Sequence, residues 1–199
     1  FRRVLFRSGH PVLESETDWG ESVSSSYQPL IRELDNGSSV PFRIDTAGRP
    51  FWRQTHNWFT ANRLAQTSLR QLLWYLRGRQ RPIWVPGQTL DFSPTSAISG
   101  NAVDVVEAGF TELGIRPGRR DISILLADGT RHYRRITAVS LVSGAERLAL
   151  DGDAISAGQN QIVSISLMTL ARQDADSVSW EHVTDADGVA RVATTFTGV

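Results

Sequence analysis

Apolar and polar positions alternate with a period of two along much of this chain and switch to a helical period once. Val40, Phe42 and Ile44 fall on one side of an alternating run, as in a half-buried strand. In Phe51-Trp52-Arg53-Gln54-Thr55-His56-Asn57-Trp58-Phe59 the same rule puts Trp52, Gln54, His56 and Trp58 together, which predicts an extended aromatic strand. Leu30 to Leu34 is a shorter strand candidate, followed by the turn signal Asp35-Asn36-Gly37-Ser38.

The helical period follows. Leu64, Ala65, Leu69, Leu72, Leu73 and Leu76 recur as one apolar stripe. Thr60 or Asn62 is placed to cap the start, and Gly78 falls where a left-handed residue ends a helix. A helix of about 15 residues is predicted, with its stripe buried against a sheet. Pro82 and Pro86 then bracket Ile83-Trp84-Val85. Proline lacks a ladder donor, so this segment reads as an edge strand or wall.

Beyond Leu90 the texture changes to short apolar segments between turns: Ala102–Val106, Ile122–Leu126, Tyr133–Val139 and Arg147–Leu150, with Asp128-Gly129 as a hairpin dipeptide. This spacing predicts a small antiparallel barrel or sandwich. Longer alternating strands return at Ile162–Met168, Ser177–Val183 and Val189–Phe196. The fold class expected is mainly β with one amphipathic helix (α+β). The helix-packed β domain is assigned to 27–88 and 160–199, the inserted barrel to 89–159, and a lead-in loop to 9–26.

Residues 1–8 stand apart. The stretch Phe1-Arg2-Arg3-Val4-Leu5-Phe6-Arg7-Ser8 is too short and too broken by arginine for a signal peptide. Arg2 to Ser8 also matches one translation frame of a common sequencing adapter. It is therefore expected to be a cloning or assembly scar replacing the native start, and is left out of the fold reading.

Composition removes several functions. Lys+Arg and Asp+Glu are both 21, so net charge is zero, unlike a general nucleic-acid or membrane-surface binder. Every basic residue is arginine, which suits planar, stacked and bidentate contacts, although a GC-rich genome gives the same bias. The absence of cysteine excludes disulfides, Cys-ligated zinc and thiol catalysis. No apolar run is long enough to span a bilayer.

Catalytic patterns are missing as well. His10, His56, His132 and His182 form no metal-ligand spacing, and neither a nucleophile elbow nor a phosphate-binding loop occurs. Asp151-Gly152-Asp153 lacks the further ligands of a calcium loop. Asp174, Asp176, Asp185 and Asp187 could supply a carboxylate pair, but turn formation is the commoner use of such aspartates. The expectation is a non-enzymatic protein with no cofactor and no metal.

The richest feature is aromatic: Trp52, Trp58, Trp74, Tyr75, Trp84 and Phe92, interleaved with Arg53, Arg77, Arg79 and Arg81. Core packing with cation–π contacts, a subunit interface, a sugar-binding platform and, last, a nucleic-acid groove are all open readings. Trp84, Arg77, Arg79, Arg81, Trp58 and Arg53 are the candidate interaction residues.

The order of these segments carries a resemblance. The aromatic strand, the Leu-rich helix and Arg77-Gly78-Arg79-Gln80-Arg81-Pro82-Ile83-Trp84-Val85-Pro86 are followed by Asp128-Gly129-Thr130 and Arg135-Ile136-Thr137-Ala138-Val139. Leu170-Ala171-Arg172-Gln173-Asp174-Ala175-Asp176-Ser177-Val178 then leads to Trp180-Glu181-His182. From about Tyr27 onward this resembles the minor tail proteins of siphophages and related gene-transfer particles, at the distal tail or baseplate hub. The shared motifs are packing and turn patterns. The resemblance implies a tail-tube-like sheet with a helix, a ring of copies between tail tube and tip, neighbouring tail proteins as partners, and a place in the virion after synthesis in the bacterial host cytoplasm. It carries no catalytic residues. Two alternatives remain: a carbohydrate-binding, host-receptor module with a row of exposed Trp and Tyr, and a cell-wall hydrolase with facing carboxylates.

Overall fold

The computed structural model describes residues 6–18, 20, 23–35, 37, 40–183 and 188–199. In chain order the elements are β1 (Phe6–Arg7), β2 (His10–Pro11), β3 (Ser25–Gln28), β4 (Ile31–Leu34), β5 (Phe42–Asp45), β6 (Phe51–Thr60) and α1 (Arg63–Leu76). Then come β7 (Ile83–Pro86), β8 (Ile98–Gly100), β9 (Ala102–Val105), α2 (Phe110–Leu113), β10 (Asp121–Leu126), β11 (Arg131–Val142) and β12 (Ala145–Leu150). The last are β13 (Ile155–Ala157), β14 (Ile162–Gln173), β15 (Trp180–His182) and β16 (Ala190–Gly198). The chain is mainly β and largely antiparallel, as its alternation predicts.

Two compact units form. The first holds Ser15–Ile83 and Ala171–Val199; the second holds Trp84–Leu170 with the described part of 4–14.

In the first unit, β6 lies between β3 and β16. The far edge of β16 is shared by β15, opposite Ala190 to Val192, and by the Ala171–Gln173 end of β14. Period-two alternation in β6 buries Trp52, Gln54, His56, Trp58 and Thr60, the predicted face plus one residue. From β16 the same face takes Ala190, Val192, Thr194 and Phe196. The opposite face is polar: the Thr55 and Thr195 hydroxyls meet at 3.0 Å, and Arg53 pairs with Asp174.

Helix α1 packs on β6. Asn62 caps it, its side chain accepting from Ala65 N at 2.9 Å. The buried stripe is narrower than expected: Gln66, Leu69 and Leu76 are buried and Leu72 and Leu73 half-buried, whereas Leu64 and Ala65 face outward. The buried line runs the length of the helix, from Gln66 in its first turn to Leu76 at its end, and it is one residue wide over most of that length. The end is also doubled. Arg77 takes the left-handed conformation at φ 53°, and Gly78 follows at φ 61°.

The second unit has sheet order β14-β10-β11-β12-β9, a separate β8–β13 ladder, and β7 alongside β14. Asp128-Gly129 makes the β10–β11 turn, with Asp128 Oδ1 accepting from Thr130 N at 2.8 Å. Phe92, Ile122, Ile124, Leu148 and Ile165 centre the core, and Val12, Trp84, Tyr133 and Met168 form a second cluster. The expected closed barrel is not found among the described residues. Closure needs the terminal strands to pair, but β9 pairs with β12 alone, and its other side has just the Pro94–Val105 bridge. Helix α2, in a stretch read as turns, is an addition. Its four residues are too few to show a period.

Candidate interaction surface

Among the described residues, strands β4 and β5 pair only with each other. Every one of their eight residues is exposed, although the alternation predicts a buried face at Val40, Phe42 and Ile44. Registers Leu34↔Phe42 and Arg32↔Ile44 put Leu34, Phe42 and Ile44 on one side, with 67%, 65% and 39% of their surfaces exposed. Ile31 and the Glu33–Arg43 ion pair, at 2.9 Å, take the other side. An exposed pair of this kind adds little stability, and a lone two-stranded hairpin is marginal in water. Thr46 N and Oγ1 both donate to Leu30 O at 3.2 Å, tying the base of the hairpin. Of the expected turn, Asn36 and Ser38 lie outside the described residues; Asp35 Oδ1 accepts from Gly37 N. The hairpin is thus an arm with Leu34, Phe42 and Ile44 exposed on one side, beside Arg32.

A second exposed surface lies at the C-terminal end of α1. Trp74 is 76% exposed, with the Arg77 guanidinium 5.9 Å from its ring centre. Arg81 lies 4.5 Å over Tyr75, and Arg70 lies 4.9 Å over Trp180. Arg79 is exposed, its backbone N donating to Asp176 Oδ1 at 3.0 Å.

The other candidates have different surroundings. Trp84 is buried, its Nε1 donating to Arg7 O at 3.0 Å. Trp58 is buried beside His56 and Phe196. Arg53 is held by Asp174. Trp74, absent from the candidate set, is the exposed tryptophan of this region. Its position, four after Arg70 and three before Arg77, was the available signal.

With Trp52, Trp58 and Trp84 all below a tenth exposed, the coplanar aromatic row required of a sugar platform is not formed by them. A groove of about 330 Å³ on the first unit is lined by Trp58 and Trp180 together with Asp18, Asn57, Glu181 and Arg191. For the hydrolase reading, Asp174 is taken up by Arg53 and Thr197, and Asp176 by Arg79 N. Asp185 and Asp187 lie outside the described residues. No cluster of three potential metal ligands occurs among the described residues.

Two buried polar groups need explanation. His56 is fully buried, and burial lowers its pKa to about 4. Its Nε2 meets Gln54 Nε2 at 3.1 Å, and its ring packs edge-on against Phe196. It is a neutral core residue. In the second unit, the buried Glu146 carboxylate accepts from Ala108 N at 2.9 Å and Thr111 N at 2.7 Å. Burial alone would raise its pKa; those hydrogen bonds outweigh burial and lower it.

No helix among the described residues is long and apolar enough to cross a membrane. No protein-family model matches this sequence, and a comparison with curated proteins finds no relative.

Proposed function

We propose that this chain is a structural subunit that joins copies of itself and neighbouring tail proteins into a ring at the distal end of a siphophage tail, between tube and tip. The reading extends to a tail-tube-like sheet-and-helix domain and to a virion location. The observation that carries it is the β4–β5 arm, whose Leu34, Phe42 and Ile44 side chains are left exposed among the described residues. Burying side chains of this size is worth roughly 1.5–3 kcal/mol each, which gives a second copy a strong reason to receive them. An arm docked on a different surface of the next copy is a heterologous contact, the kind that closes into rings. The sequence resemblance supplies the assembly; the arm supplies a means.

The test is sedimentation velocity on the full chain across a concentration series, beside the Leu34→Glu/Phe42→Glu variant. The expected result is self-association in the parent, lost in the variant, with far-UV circular dichroism unchanged. A parent that stays monomeric at the highest concentration, or a variant that assembles as the parent does, would overturn the reading.

A further inference from the structure

Between Asp45 and Asp91 the chain has no acidic residue, yet it holds Arg49, Arg53, Arg63, Arg70, Arg77, Arg79 and Arg81. The structure sorts these arginines. Arg53 is neutralised by Asp174, as Arg43, Arg135 and Arg147 elsewhere are by their own carboxylates. Arg70, Arg77, Arg79 and Arg81 have no ion pair among the described residues. Three of them instead lie on aromatic rings: Arg70 on Trp180, Arg77 on Trp74 and Arg81 on Tyr75. Arg70 also meets His182 Nε2 at 3.4 Å; a guanidinium held only by its flat face keeps its N–H edge for an oxyanion, which it can bind through two hydrogen bonds. Arg70, Trp74 and Arg77 also share one exposed helix face.

We infer that the C-terminal end of α1 docks an acidic segment of a partner protein, Arg77 and Arg81 taking its carboxylates and Trp74 an adjoining apolar side chain. Charge complementarity selects the occupant. The patch has no acidic side chain on its own helix, and its exposed indole matches the Trp-and-Arg chemistry of interface anchors. A nucleic acid fits less well. The chain has zero net charge, so it lacks long-range attraction for a polyanion. The inference rests on neither the β4–β5 arm nor self-association.

The experiment is fluorescence polarisation with the full chain and a labelled peptide of alternating glutamate and leucine, against a single-stranded oligonucleotide of equal length in the same salt. The peptide is expected to bind more tightly than the oligonucleotide. Affinity should fall at least tenfold in Arg77→Glu/Arg81→Glu, fall severalfold in Trp74→Ala, and stay unchanged in Arg172→Glu, an exposed arginine on β14. Arg77, Trp74 and Arg172 are exposed and Arg81 is half-buried, and circular dichroism checks that each variant folds. Equal peptide binding by the Arg77→Glu/Arg81→Glu variant, no peptide binding at all, or tighter oligonucleotide binding would overturn the proposal. Loss of self-association in that variant without peptide binding would place a second copy there instead, and overturn it too.

Discussion

Gly78 and Asp176 approach so closely that a Cβ on residue 78 would stand 2.6 Å from Asp176 Oδ1 and 2.7 Å from its Cα. The contact fixes how α1 ends. Arg77 and Gly78 both turn left-handed, and Asp176 Oδ1 then accepts from Arg79 N at 3.0 Å.

Gly78→Ala therefore meets two costs. The left-handed backbone, at φ 61°, costs an L-residue about 1–2 kcal/mol, and the overlap with the Asp176 backbone forces a shift on top of that. Urea unfolding should show a loss of at least about 2 kcal/mol. Arg77→Gly should be neutral or stabilising, because glycine takes the left-handed backbone at φ 53° without the strain an L side chain brings. Equal stability of Gly78→Ala and the parent would refute the described helix end.

The second prediction concerns pH. The His56 pKa is lowered from 6.5 to about 4 by burial, so the unfolded chain takes up a proton at a higher pH than the folded one. Stability from this residue is complete above pH 6.5 and falls as pH drops toward 4. Each pH unit in that window is worth about 1.4 kcal/mol, so about 3 kcal/mol should be lost by pH 4. His56→Gln, which keeps a polar group beside Gln54, should flatten the stability profile between pH 6.5 and 4. A profile as steep in the variant as in the parent would assign the slope to other groups.

Alternation made β6 legible because a strand with one buried face writes a period of two into its sequence. His56 and Gln54 obeyed the pattern even though neither is apolar. Helix α1 was legible for the same reason, with Asn62 as its cap. The β4–β5 arm was half legible. Val40, Phe42 and Ile44 alternate as a core face would, but sequence cannot tell a face buried within one chain from one left for another. Trp84 and Trp74 were exchanged for a related reason. Tryptophan suits cores and interfaces equally, and only the fold distinguishes Trp84 in its cluster from Trp74 on the outer helix face. The barrel failed on connectivity, since closure depends on partners far apart in sequence.

A third prediction separates packing from capping in the second unit. Glu146 is the buried partner of Ala108 N and Thr111 N, at the start of α2. Glu146→Ala leaves both donors unpaired and should cost about 3 kcal/mol, in the range for charged hydrogen bonds lost from an interior. Glu146→Gln keeps an acceptor and should cost less. The parent should also lose stability below the ordinary carboxylate range, because hydrogen bonding to the ionised form lowers this pKa and the benefit disappears once pH falls through it. Hydrogen exchange should report faster opening of Ala108 to Gly114 in Glu146→Ala and no change in β6. Uniform loss of protection in both would assign Glu146 a global role.

The last prediction addresses the arm. Its strand amides lie in a two-stranded ladder whose eight residues are all exposed, its apolar side chains among them. Protection of such a ladder in a monomer is small, because opening it exposes little further apolar surface. At dilute concentration the amides of Arg32, Leu34, Phe42 and Ile44 should exchange near the unfolded rate, while those of β6 stay protected. Raising the concentration into the associating range should slow exchange in the arm by tenfold or more and leave β6 unchanged. Phe42→Ala should remove that concentration dependence without altering exchange in β6, since Phe42 makes no contribution to the buried face of that sheet. If arm exchange is slow in the monomer, the hairpin is covered by its own chain. If it stays fast at every concentration, the arm does not join subunits. Protection that appears only with concentration, and disappears with one phenyl ring, is the behaviour required of an arm that is finished by a second copy.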